Sequence, residues 1–294
     1  MTVAHEPSEL ERRPRAVAIG TFDGVHLGHR AVIRATVESG LLPTVLTFDP
    51  HPRVALGNRV ELISTVERRL ELLGEAGAED ILVVAFTPEL MQLAPEEFVD
   101  GHLRAIGAEA VAAGDDFRFG ARRAGDLALI ERLGLRRLDV EHIDGVSSTA
   151  IRAAVHAGHM AEAARMLGRP FELEGVVVAG DQRGAELGYP TANIQQDMRL
   201  LYPCDGVYAG AALGHRAAVS IGTNPHFGGT EPRIEPFLLD FEGDLYGKRL
   251  LVELWHKLRD QAVFATKEEL VAQIARDVEE TRVAQRPPAA PVSD

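Results

Sequence analysis

Two histidines three residues apart, His26 and His29, stand in the stretch Gly20-Thr21-Phe22-Asp23-Gly24-Val25-His26-Leu27-Gly28-His29, after a short apolar run and before a helical pattern. At that spacing two side chains share one face of a helix. Their imidazoles can donate hydrogen bonds to a phosphate, or take up positive charge as negative charge builds in a transition state. The glycines let backbone come close to a ligand, and the free N–H groups of a first helical turn favour an anion. Two other readings exist: a helix start with incidental histidines, and a zinc site, for which no cysteine or third histidine stands nearby.

The second half of the chain offers different chemistry. In Leu187-Gly188-Tyr189-Pro190-Thr191-Ala192-Asn193, an extended backbone would turn Thr191 and Asn193 the same way. A hydroxyl and an amide oxygen could then meet one ion or phosphate, and oxygen donors of this kind suit Mg²⁺. A proline turn before an edge strand is the plainer account. In Arg233-Ile234-Glu235-Pro236-Phe237-Leu238-Leu239-Asp240-Phe241, period-two alternation groups Glu235 with Phe237, Leu239 and Phe241, which predicts a place in a barrel interior. Desolvation there would raise the pKa of Glu235 and make it a better general base for a hydroxyl. The alternative is a structural ion pair with Arg233.

The elements that must position these groups are of two kinds. From residue 16 to about 144, strands at Ala16–Gly20, Thr44–Phe48, Ile81–Phe86, Ala110–Gly114 and Arg137–His142 alternate with helical patterns at His29–Ser39, Thr65–Ala76, Pro95–Ile106 and Asp126–Leu133. Such alternation predicts a Rossmann-like α/β domain with a parallel sheet and right-handed crossovers. Ligands bind such sheets at the carboxyl ends of the strands. The loops at Gly20–His29, Phe48–Arg53 and Gly114–Gly120, followed by Ser147–Arg152, fall at such ends. Two short helices broken at Gly158 follow. From Phe171 to Trp255 the segments are short, β-branched and punctuated by glycine and proline, which predicts an antiparallel barrel of about six strands closed by a helix at Lys267–Val278. The expected division is a flexible N-terminus over 1–15, a first domain over 16–168, a second over 169–284 and a disordered tail over 285–294.

Composition narrows the classes. The chain has 294 residues and 46% hydrophobic content, enough for two packed cores. With 31 basic against 44 acidic residues the net charge is −13, which argues against a nucleic-acid partner. A phosphate ligand is therefore expected to be small and locally held. Cys204 is the single cysteine, so no disulfide framework exists, and a cytoplasmic setting fits best. No segment is apolar for long enough to cross a membrane. The oligomeric state is not set by the sequence.

Taken together, Gly-Thr-Phe-Asp-Gly-Val-His-Leu-Gly-His at 20–29, Thr-Phe-Asp-Pro-His-Pro at 47–52, Asp-Phe-Arg-Phe-Gly at 116–120, Ser-Ser-Thr-x-Ile-Arg at 147–152, Leu-Gly-Tyr-Pro-Thr-Ala-Asn at 187–193 and Asp-Leu-Tyr-Gly-Lys at 244–248 resemble the bifunctional prokaryotic riboflavin kinase and FAD synthetase family. The resemblance implies a C-terminal kinase that moves the ATP γ-phosphate to riboflavin, giving FMN, and an N-terminal adenylyltransferase that joins FMN to AMP, giving FAD and pyrophosphate. It implies that Gly20, Phe22, Asp23, Gly24, His26 and His29, with Ser148, Thr149 and Arg152, bind ATP for adenylyl transfer, and that Phe48, His51, Asp116 and Phe117 lie by the flavin. Gly188, Pro190, Thr191 and Asn193 would hold nucleotide, phosphate and Mg²⁺ in the kinase, with Glu235 as its base. The chain departs from the family pattern at Ala185, His226 and Pro236, all in the kinase half. That clustering leaves two alternatives: an adenylyltransferase with weakened or altered kinase activity, and a flavin- or nucleotide-binding regulator without turnover.

Overall fold

A computed structural model of the chain describes residues 1–180, 187–222 and 233–289. Backbone contacts divide it into two compact units, Met1–Val60 with Thr65–Val146, and Glu61–Ser64 with Ser147–Asp294.

The first unit is a six-stranded sheet with every neighbouring pair parallel. Its strands are β1 (Thr2–Ala4), β2 (Arg15–Ile19), β3 (Leu42–Asp49), β4 (Asp80–Ala85), β5 (Ala108–Ala112) and β6 (Arg136–Arg137), in the order β1-β4-β3-β2-β5-β6. Both faces are covered, which is why the central strands read as apolar runs rather than alternating ones. Val17 and Ile19 pack with Phe98 and Leu103 on one side, while Ala16 and Ala18 pack with Ile33 and Leu72 on the other. The helices are α1 (Leu27–Val37), α2 (Pro52–Ala55), α3 (Val66–Glu75), α4 (Pro95–Phe98) and α5 (Leu127–Arg132). Thr65 and Asp126 cap α3 and α5 through side-chain oxygens, as their residue types favour. The chain moves outward from β2 through β3 to β4 and then returns to β5 on the other side of β2. The loops after β2 and β5 therefore part at a topological switch point, where such sheets open a crevice.

Three expectations for this unit are corrected. The N-terminus is not a flexible arm: Thr2–Ala4 pairs with β4, and Ala4 and Leu10 join the core. A three-residue edge strand is too short to show periodicity. Of the strand expected over Arg137–His142 only Arg137 pairs with β5, in a two-residue strand begun by Arg136, and Asp139, Glu141 and His142 are exposed. The helix expected over Pro95–Ile106 is α-helical only to Phe98; Val99–Arg104 then widens into π-type turns around Asp100-Gly101, a pair of poor helix formers.

The second unit opens with α6 (Ser148–His156) and α7 (Met160–Leu167), and Ser147 caps α6 by accepting from Ala150 N at 3.1 Å. A closed antiparallel barrel follows, made of β7 (Phe171–Val178), β8 (Asn193–Gln195), β9 (Gly206–Ala212), β10 (His215–Gly222), β11 (Arg233–Leu238) and β12 (Arg249–Arg259), in the order β10-β11-β8-β7-β12-β9. Alternate residues such as Val219, Ile234, Val252 and Leu254 are fully buried and fill the interior. Helix α8 (Lys267–Val283) covers part of the outer face through Val278, which packs with Ala218 and Leu239. The tail expected to be disordered from residue 285 is held at its start, where Arg286 donates to both oxygens of Glu253 at 2.6 and 2.8 Å. Residues 290–294 lie outside the described residues.

Candidate active site

In the first unit the phosphate-type loop is built around the start of α1. Phe22 and Val25 take positive φ angles of 51° and 41°, and Gly24 one of 79°. These angles turn the chain sharply from β2 into the helix, and two of the three are held by residues other than glycine, a conformation that packing must impose. Asp23 and His26 are buried there, while Gly20 is partly buried with Phe22 folded over it.

His26 is the N-cap of α1. Its Nδ1 accepts from His29 N at 3.2 Å, which places the proton of the neutral ring on Nε2. The two imidazoles stack at 3.6 Å with planes 14° apart, and Phe22 meets His29 edge-on at 5.2 Å. Nδ1 of His29 is buried without a hydrogen-bond partner. Burial pushes the pKa of His29 well down, and His26 and Arg69 lower it further. The pair expected from spacing alone is thus in contact, at the positive end of a helix dipole.

Two further loops end on the same edge of the sheet. After β3, Phe48 lies in the core against Phe86, and His51 is buried and caps α2 by accepting from Arg53 N at 3.1 Å. After β5, Asp116 is exposed, and Phe117 stacks on the buried Phe119 with centroids 5.4 Å apart. Arg69 on α3 was missed by the sequence reading. Its guanidinium is 5% exposed and donates to Thr21 O and Phe48 O, both at 3.1 Å. The signal was present in its spacing with Leu72 and Leu73, which puts a charge on the apolar stripe of the helix.

Ser148, Thr149 and Arg152 belong to the second unit. Arg152 donates to Glu61 O at 2.6 Å, and His156 on the next turn meets the Glu61 carboxylate at 2.7 Å.

On the barrel, pairing brings the predicted residues together but on the other face. Ile234 pairs with Ile194 and is fully buried, so Glu235 and Asn193, next to them, turn outward beside one another. Glu235 also pairs with Ser220, whose hydroxyl accepts from Gln261 at 3.1 Å. Glu235 is thus not in the barrel interior: its side chain is 25% exposed and meets Arg233 at 3.8 Å. Period two was right and the face was wrong, because Phe237 and Leu239 find their apolar partners under α8 rather than inside. Thr191 and Asn193 are both partly buried, and Gly188 turns the chain ahead of them with φ 86°. Gly180 lies against Asn193: a Cβ there would sit 1.9 Å from its Nδ2, so a larger residue would displace the Asn193 side chain.

Pro236 leaves the ladder to β10 intact. Its carbonyl accepts from Ala192 N at 3.0 Å, so its nitrogen also faces the β8 side, where β8 has already ended. Ala185 and His226 lie outside the described residues. Among the described residues no group of three His, Cys, Asp or Glu side chains could hold a metal ion, and no helix is long and apolar enough to cross a membrane.

Comparison with known proteins agrees in both halves. The family model for FAD synthetase matches residues 8–153, and that for riboflavin kinase matches residues 167–284. The bifunctional riboflavin kinase/FMN adenylyltransferase of Listeria monocytogenes is 36% identical, with 91% of each chain covered. This chain belongs to that family. The enzymes of the same name from Escherichia coli and Bacillus subtilis are 36% and 32% identical, over 93% and 95% of each chain. The crystal structure of a macrolide-efflux protein from Streptococcus pneumoniae is 31% identical with a TM-score of 0.85, covering 96% of this chain and 99% of that one.

Proposed function

We propose that the protein makes FAD from riboflavin in two steps, a kinase reaction in the barrel and an adenylyl transfer at the loops of the parallel sheet. The family carries this assignment, and the His26–His29 pair at the start of α1 is the observation that supports placing the second step there.

In adenylyl transfer an FMN phosphate oxygen attacks the α-phosphorus of ATP, and the bond to the β-phosphate breaks to release pyrophosphate. Negative charge grows on the leaving group. The N-terminus of α1 receives it, and the Nε2–H of His26 donates to it without the ring having to be charged. The phosphates favour the protonated form of His29, opposing the burial that keeps it neutral in the free protein. Gly20, Phe22, Asp23 and Gly24 shape the loop, and Phe48, His51, Asp116 and Phe117 form the flavin side; Ser148, Thr149 and Arg152, in the second unit, are assigned to the nucleotide by the family resemblance alone.

In the kinase reaction Glu235 takes the proton of the riboflavin 5′-hydroxyl as its oxygen attacks the γ-phosphorus and ADP leaves. Hard oxygen donors fit Mg²⁺, and the Thr191 hydroxyl, the Asn193 amide oxygen and the Glu235 carboxylate supply them on one stretch of the barrel surface. Thr191 and Asn193 would hold the ion, which supplies charge neutralisation on the phosphates. Gly188 and Pro190 set the turn that presents them.

The test is a product assay on the purified protein with ATP, Mg²⁺ and either riboflavin or FMN. FMN from the first and FAD from the second is the expected result. FAD without FMN would replace the two-activity reading by an adenylyltransferase with a weakened kinase, a reading favoured by the Arg233–Glu235 contact, since it occupies the carboxylate that must act as base.

A further inference from the structure

The first unit buries two arginines, one at each end of its sheet, and they are held differently. Arg15, 1% exposed at the amino end, meets Asp80 at 2.5 Å, Thr44 Oγ1 at 2.9 Å, Ile106 O at 3.0 Å and Glu11 O at 2.9 Å. These partners satisfy its charge and its donors, so it is a structural tie. Arg69, at the carboxyl end, bonds two carbonyls and leaves a buried Nε without a partner. The two carbonyls are informative: Thr21 lies just before Phe22–His29, and Phe48 lies just before the turn to His51. Thr47 Oγ1 adds a third link by donating to Thr21 O at 3.2 Å.

We propose that Arg69 is a positioning residue for adenylyl transfer, a buried cation that ties the nucleotide loop after β2 to the flavin-side loop after β3. The inference rests on the function proposed above. One planar guanidinium reaches both carbonyls, which fixes the separation of the loops that carry the two substrates. Adenylyl transfer depends on that separation, because displacement of reacting groups by about 1 Å can cost on the order of 10²-fold in rate. The same cation acts on the histidine. His29 is faced by His26 and Arg69, which both lower its pKa, and Arg30 follows it on α1. Arg69 is itself faced by Asp23, Asp49 and Glu67, which favour its charged form against burial.

Arg69→Met keeps the apolar stem and removes the charge and the clamp, whereas Arg69→Lys keeps the charge but reaches fewer acceptors. FAD formation is expected to fall by about 10²-fold in Arg69→Met and by less in Arg69→Lys, with FMN formation by the same preparations unchanged. The alkaline limb of the pH profile for FAD formation should move to higher pH in Arg69→Met only, since loss of a neighbouring positive charge raises the pKa of His29 and keeps its protonated form to higher pH. Arg15→Lys serves as the structural control, expected to lower the unfolding temperature and leave that limb in place. Equal losses in Arg69→Met and Arg69→Lys with an unmoved limb would reduce Arg69 to a structural tie and overturn the proposal, as would unchanged FAD formation. NMR titration of His29 in the wild type and in Arg69→Lys and Arg69→Met reads the influence of the Arg69 charge without turnover. An unmoved His29 pKa in a folded Arg69→Met overturns the proposal even if the wild type makes no FAD, a result that would separately sink the function; if Arg69→Met does not fold, failure of Arg69→Lys to lower FAD formation overturns it.

Discussion

The phosphate sites proposed for the two units are built in opposite ways. In the parallel sheet the site lies where strands end. Backbone N–H groups at the start of α1, a stacked histidine pair and a buried guanidinium all sit in partly desolvated surroundings, and Arg69 ties the loops after β2 and β3 to one another. In the barrel the ladder uses the backbone groups, so the candidate site is made of side chains on the outer face: Asn193, Glu235 and Ser220 across three adjacent strands. The first arrangement stores electrostatic preorganisation in the fold. The second, as proposed, would rely on oxygen donors to bring a cation and its nucleotide, which suits a transfer to a neutral hydroxyl.

The strongest test of this contrast removes one member of each site. His29→Ala should lower FAD formation by about 10²-fold or more while FMN formation persists; parallel loss of both activities would show that the two sites are not independent. Glu235→Gln should lower FMN formation by about 10²- to 10⁴-fold, the range for a general base, and leave FAD formation from FMN unchanged. A normal FMN yield from that variant would leave Glu235 as only the ion-pair partner of Arg233.

Asn193→Ala sharpens the metal side. It should raise the Mg²⁺ concentration needed for half-maximal FMN formation without altering adenylyl transfer, and an unchanged Mg²⁺ dependence would remove Asn193 from the metal site. Pro236→Ala is expected to do little, changing FMN formation by about twofold or less, because the nitrogen it alters faces a strand that has ended.

The smallest effect concerns stability. The pKa values of His29 and His102 are both pushed below the ordinary imidazole value, chiefly by burial. The unfolded chain therefore binds more protons than the folded one as pH falls through about 6.5, and stability should decrease over that interval. Denaturant unfolding of His102→Leu followed between pH 7.5 and 5.5 should show a shallower loss than the wild type; equal slopes would mean that His102 titrates freely in the folded protein.

What the sequence determined by itself was local or periodic. The strands β2 to β5 and their order of types, the break at Gly158 and the barrel strands all follow from patterns a few residues long. The His26–His29 pair was legible for the same reason, since one helical turn decides whether two side chains can meet. Tertiary structure decided the rest. The outward turn of Glu235 depends on α8, roughly thirty residues later, offering apolar cover to the face that alternation assigned to the interior. The role of Arg69 depends on α3 packing across the ends of β2 and β3, strands whose sequences carry no trace of the carbonyls left for it to bind. Periodicity reports that a face is buried; which neighbour buries it, and which polar group finds a partner there, is settled only when distant segments pack.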